Sequence, residues 1–221
     1  MILFERPVLL YVLGAAVFAL LAGISMVRTR RARREWQAFA LRHGLEYEPP
    51  GSFREAVNRP EMLWPYGRVH GFPSSGIELD LRVPSLEGSS GIGKTRARSS
   101  GSGAIMRVSF PGVPEGLHVS ARRGSRPKLV ERIWAMGGIQ AVETGDPAFD
   151  GKCSVLATDA GAACAYLTDT RRQALIQLAT EESWALDPRG LSRSWPGACS
   201  DPAELDRVFG ELLEAAHALL S

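Results

Sequence analysis

The chain has 221 residues, 45% hydrophobic and 23% charged, with a formal net charge of +2. That length allows one domain with a sizeable core plus one appended segment. The charge is uneven: Arg6 and five clustered arginines account for 6 of the 26 basic residues and Glu5 for one of the 24 acidic ones, so residues 35–221 carry 20 basic against 23 acidic side chains, which excludes the positive field that nucleic-acid binding requires.

Residues 8–27, VLLYVLGAAVFALLAGISMV, contain no charge. A helix of 20 residues rises about 30 Å, the thickness of a bilayer's hydrocarbon core. Pro7 precedes it at a position where a missing N–H costs nothing, and Tyr11 sits where an interfacial aromatic would. Arg28, Arg30, Arg31, Arg33 and Arg34 follow at once. Basic residues resist translocation, so the expected arrangement is a transmembrane anchor over residues 1–34 with its N-terminus outside, and residues 35–221 in the cytoplasm beneath a bacterial inner membrane. A cleaved signal peptide carries its charge before a shorter apolar run, the reverse of this order. The collar suits anionic lipid headgroups. Ala15, Ala19 and Gly23 recur every fourth residue, a spacing that either allows a homodimer through the span or reflects ordinary small-residue use in membrane helices.

Beyond the collar, Trp36, Phe39, Ala40 and His43 continue a helical apolar stripe, stopped at Gly44. A short strand is expected over 45–48, and loops over 52–74, where Pro60, Pro65 and Pro73 occur. Residues 76–83 alternate, with Ile77, Leu79, Leu81 and Val83 on one face and Glu78, Asp80 and Arg82 on the other. The same alternation over 104–110 and 117–121 predicts an antiparallel meander of three consecutive strands. A helix is expected over 127–136, strands at 139–144 and 153–157, and a turn at Gly145-Asp146-Pro147. A helix capped by Asp159 comes next, then one opened by a Thr170/Gln173 capping box. A hairpin turning at Asp187-Pro188-Arg189-Gly190 is followed by a last helix capped by Asp201, with Pro202 at its first position and Glu204 completing the box. Strands followed by mixed helices and hairpins indicate an α+β domain with a mostly antiparallel sheet.

Residues 88–95, GSSGIGKT, fit GxxxxGK[ST] through Gly88, Gly93, Lys94 and Thr95. A phosphate loop needs a buried strand before it and a helix immediately after. Here the preceding strand alternates, and RARSSGSG follows with no apolar stripe, so the segment reads as part of a Gly/Ser-rich loop over 85–103. Asp146 and Asp150, in GDPAFD, read as turn formers rather than an acid/base pair, and Phe149 as a core anchor. Arg122, Arg123, Arg126 and Lys128 form a small basic cluster that either touches lipid phosphates or is simply solvated. Cys153, Cys164 and Cys199 are odd in number and match no metal spacing, as expected of free thiols in a reducing compartment, with Cys164 read as a small buried residue. The four histidines are scattered, so neither a metal nor another cofactor is expected.

At GDPAFDGKCSVLATD, followed by AYLTDTRRQALIQL, the chain resembles a group of uncharacterised bacterial single-pass membrane-anchored proteins. That group shares an N-terminal span, a WxxxAxxxGLxY-type opening (Trp36, Ala40, Gly44, Leu45 and Tyr47 here) and an FDxxFxV strand leading to a Leu-Thr helix start (Phe149, Asp150, Val155, Leu167 and Thr168 here). Cys153 stands where the pattern has an aromatic. The resemblance implies no activity and treats Asp146 and Asp150 as architecture. The leading expectation is a non-enzymatic module that binds a cytoplasmic protein partner or the membrane surface. The alternatives are a nucleotide-using or hydrolytic enzyme built on Lys94–Thr95 or Asp146/Asp150, and a small-ligand sensor with a pocket lined by Trp134, Trp184 or Trp195.

Overall fold

The computed structural model describes residues 5–50, 66–83, 103–122, 137–179, 183–197 and 199–221. Helix α1 (Glu5–Arg42) runs unbroken for 38 residues. From residue 13 to residue 28 every side chain is exposed, whereas Ala32, Trp36, Phe39 and Ala40 are buried. Their i, i+4, i+7, i+8 spacing keeps them on one stripe. The described part, Leu13–Arg42, is long and apolar enough to cross a membrane. Gly44, at φ +64°, reverses the chain into the sheet, a backbone conformation that only glycine adopts without strain.

Nine strands form one sheet: β1 (Glu46–Glu48), β2 (Arg68–Ser74), β3 (Ile77–Arg82), β4 (Ile105–Ser109), β5 (His118–Ala121), β6 (Gln140–Val142), β7 (Cys153–Ala157), β8 (Trp184–Asp187) and β9 (Gly190–Ser194). Their order is β1-β2-β3-β4-β9-β8-β5-β7-β6, and every pairing is antiparallel. Helices α2 (Pro147–Lys152), α3 (Ala160–Tyr166), α4 (Asp169–Leu178) and α5 (Pro202–Leu220) complete the domain. An apolar helix followed by a large antiparallel sheet and packed helices is the expected α+β class.

Alternation puts Leu79, Leu81, Met106, Val108, Leu186 and Leu191 on one sheet face, all buried. Against them lie the tail of α1 and the stripe of α5, where Leu205, Val208, Phe209, Leu212, Ala216 and Leu219 are buried too. Each such large side chain contributes about 1.5–3 kcal/mol on burial. Asp201 caps α5 by accepting from Ala203 N at 3.1 Å, and Asp159 caps α3 by accepting from Ala162 N at 3.0 Å. The hairpin at residues 187–190 forms as expected, joining β8 to β9.

Several expectations need correction. The three alternating strands do not make a meander, because the β8–β9 hairpin inserts between β4 and β5 and pairs with both. A strand occupies 68–74 where loops were expected; Pro73 lies at a register shift between Gly71 and Ser74, where a missing donor breaks no ladder bond. Helix α4 starts at Asp169 after Thr168, not at Thr170, and Arg172 folds back to donate to the Leu167 carbonyl at 2.7 Å. Residues 147–152, expected to leave a turn directly for a strand, form α2. The carboxylate of Glu204 accepts from Trp195 and Arg207 rather than closing a capping box. Cys164 is exposed, not buried. The expected helix over 127–136 and the glycine/serine segment over 85–102 lie outside the described residues.

Candidate functional site

Gly88, Gly93, Lys94 and Thr95 lie outside the described residues, as do Arg123, Arg126, Lys128 and Trp134. Asp146 caps α2, its Oδ1 accepting from Ala148 N at 3.0 Å and Phe149 N at 3.3 Å, while its Oδ2 lies 3.3 Å from Arg172 Nε. Asp150 accepts from the backbone N–H and hydroxyl of Thr144 and from Gly145 N. Both carboxylates thus tie the 144–152 segment together, with Phe149 buried beneath it. The Arg122 N–H donates to the Lys152 carbonyl at 2.7 Å. Trp184 is a core residue, and Trp195 donates to Glu204 at 3.4 Å. Ala15, Ala19 and Gly23 lie on the exposed part of α1. Among the described residues no three His, Cys, Asp or Glu gather as a metal site would.

What the sequence did not reveal is the convergence of charge on the outer face of the sheet. Register places Glu46, His70, Asp80 and Arg107 side by side across β1 to β4. The same row continues through Ser192, Ala185, Ser120 and Ser154 on β9, β8, β5 and β7. The row is therefore charged over its first half and carries small side chains over its second. A concavity of about 600 Å³ opens over the charged half, lined among others by Arg68, Arg82, Arg107 and Arg189.

Glu78 and Asp80 line the same concavity. Asp80, 14% exposed, lies 2.6 Å from Arg68 Nε and 3.2 Å from Arg82 Nε. Asp187 lies 3.5 Å from Arg107 and 3.9 Å from Arg189. Arg107 is 18% exposed and its Nε, fully shielded, has no hydrogen-bond partner. Burial lowers the pKa of this guanidinium, opposed by the Asp187 charge. Guanidiniums stay protonated, so the face offers no proton-transfer group from its arginines; what it offers is a planar fork of donors suited to carboxylates and other oxyanions. The signal in the sequence was the shared parity of Glu78, Asp80, Arg82 and Arg107, all opposite to core positions, but only strand pairing brings them together.

At the end of β2, Ser74 Oγ and His217 Nε2 stand 3.2 Å apart. The pair is solvent-exposed, and among the described residues no carboxylate bonds to the second ring nitrogen of His217, so it lacks the orienting group of a nucleophile–base relay.

No family model matches the chain, and no curated protein matches it. The chain is similar to one solved structure, the mycobacterial trehalose monomycolate transport factor A, TtfA, at 14% sequence identity and a TM-score of 0.47. The match covers 86% of this chain and 92% of that one.

Proposed function

We propose that this chain is a single-pass, membrane-anchored, non-enzymatic interaction module, with its N-terminus outside and residues 35–221 held against the cytoplasmic face of a bacterial inner membrane. The observation that carries the reading is the continuity of α1. One helix is fully exposed and apolar over 13–27 and enters the domain core from Ala32. Five helical steps, about 7–8 Å, lead from the end of the apolar run at Val27 to the first buried position at Ala32. The domain therefore has no slack to drift from the headgroups. Arg28, Arg30, Arg31 and Arg34 are exposed at that junction, where cations favour anionic lipid and the side that retains positive charge. The resemblance to bacterial single-pass anchored proteins belongs to the same reading.

The test is fractionation and topology of the intact chain in a bacterial host. The chain is expected in the membrane pellet after a carbonate wash, and a fluorescent reporter fused after Ser221 is expected to glow inside the cell. Protease added to spheroplasts should leave residues 35–221 whole. Release by carbonate, or digestion of the C-terminal domain from outside, overturns the proposal.

A further inference from the structure

We infer that the arginine-lined outer face of β2, β3, β4 and the β8–β9 turn is the docking site for an extended acidic segment of a partner protein. This deepens the interaction-module reading and rests on it, since it names the chemistry of the partner.

Charge complementarity is the first argument. Residues 35–221 carry an excess of acid, yet this face reverses that balance, with Arg68, Arg82, Arg107 and Arg189 set against Glu78, Asp80 and Asp187. Arg107 is the sharpest case. Its guanidinium is largely removed from water, a desolvation cost that the charge of an incoming carboxylate would offset.

Shape is the second argument. The concavity is open rather than enclosed, and half of its lining residues are charged, unlike the closed, mostly apolar pockets that hold small molecules. Its arginines span β2 to the β8–β9 turn. With neighbouring strands about 4.8 Å apart, that is roughly 15–20 Å, the length of five or six extended residues. Phe72, 76% exposed, stands at the rim as an apolar anchor beside the charges.

Placement disfavours a bilayer as the occupant. Tyr66, two residues before β2, packs its ring 6.0 Å from that of Trp36 on α1, so the Arg68 end is the one nearest the apolar half of that helix. Ser74, at the other end of the strand, meets His217 near the end of α5. Phe72 and Arg189 lie toward that remote end, and a flat headgroup surface beside the collar does not reach both ends of the groove.

The test uses the full chain in phosphatidylcholine nanodiscs and a fluorescein-labelled peptide of alternating glutamate and serine, read by anisotropy. Saturable, salt-sensitive binding is expected, with no binding of the matching lysine–serine peptide. Arg107→Gln should weaken it about tenfold or more. Arg189→Gln and Phe72→Ala, both at exposed positions that leave the fold intact, should weaken it severalfold. Arg30→Gln, which removes the same charge from the collar, should leave it unchanged. Absence of saturable binding overturns the inference, as does a loss in Arg30→Gln without one in Arg189→Gln. Displacement by millimolar inorganic phosphate would reveal a simple oxyanion site, and binding to phosphatidylserine vesicles but not to the peptide would reveal a lipid surface; either result overturns it. The nanodisc assay reads the groove whichever side of a membrane the domain occupies, so its failure leaves the fractionation result standing.

Discussion

Trp36 Nε1 donates to the backbone carbonyl of Cys199 across 2.7 Å, joining positions 163 residues apart in a buried setting. The bond ties the point where α1 enters the core to the segment leading into α5. Trp36→Phe keeps most of the ring but strands the Cys199 carbonyl, a loss of about 1–3 kcal/mol. Trp36→Ala adds a cavity and should cost about 3–5 kcal/mol. Urea unfolding of the full chain in detergent measures both. A Trp36→Phe midpoint equal to that of the unmodified protein would show that this bond contributes nothing.

Two glycines should respond with opposite signs. Gly190 opens β9 at φ +116°, and a Cβ there would run into the Val108 carbonyl and the Ser109 Cα of β4. Gly190→Ala combines backbone strain with a backbone clash and should destabilise by at least about 2 kcal/mol. Gly210, inside α5, has open space at its Cβ position. Gly210→Ala should stabilise by roughly 0.5–1 kcal/mol through helix propensity. Thermal melts of the two variants, run side by side, test the contrast.

The three thiols should separate by reactivity. Burial pushes the Cys153 thiol up to about 12 and raises that of Cys199, while Cys164 is exposed. The thiolate is the reactive form. At pH 8 a thiol reagent should modify one cysteine per folded chain rapidly, identified as Cys164 by peptide mapping, and all three after denaturation. Fast native labelling of Cys153 would contradict the packing described.

Acid should weaken the junction between α1 and α5. Asp206 sits 2.9 Å from His43 Nε2 and 3.1 Å from Arg42 Nη2. Partial burial works to raise its carboxyl, but the hydrogen bonds from His43 and Arg42 outweigh that and hold it below the usual value. A depressed folded pKa contributes stability above the unfolded value, near 3.9, and that contribution is lost as pH falls through the folded value. The group is 40% exposed, so its worth is about 1 kcal/mol or less. Asp206→Asn should be less stable than the unmodified chain at pH 7, and the difference should shrink as pH falls below the unfolded value of about 3.9. A difference that persists undiminished in acid would assign the effect to packing instead.

Local features of this fold were legible in the residues, and long-range ones were not. The spacing of Trp36, Phe39 and Ala40 gave the buried stripe of α1, Gly44 its end, and Asp201-Pro202 the start of α5. Alternation over 77–83 separated the core face from the charged face correctly. Alternation says which face a residue takes, however, not which strand lies beside it. Alternation alone therefore sets β5 beside β4, whereas a hairpin that begins 75 residues after β4 ends lies between them. Pro73 concealed β2 because its tolerance depends on a bulge that only pairing creates. Six-residue α2 is too short for a helical period to register. The groove was hidden for the same reason as β5: Asp80 and Arg107 are separated by 27 positions and meet only through register.

The unbroken course of α1 makes the sheet ride on the apolar half of that helix like a blade on a handle. A rod of 38 residues is about 57 Å long. Without a hinge between its two halves, a change in bilayer thickness that tilts the upper half swings the lower half by the same angle, so the direction in which the arginine groove faces would follow the mechanics of the lipid around it.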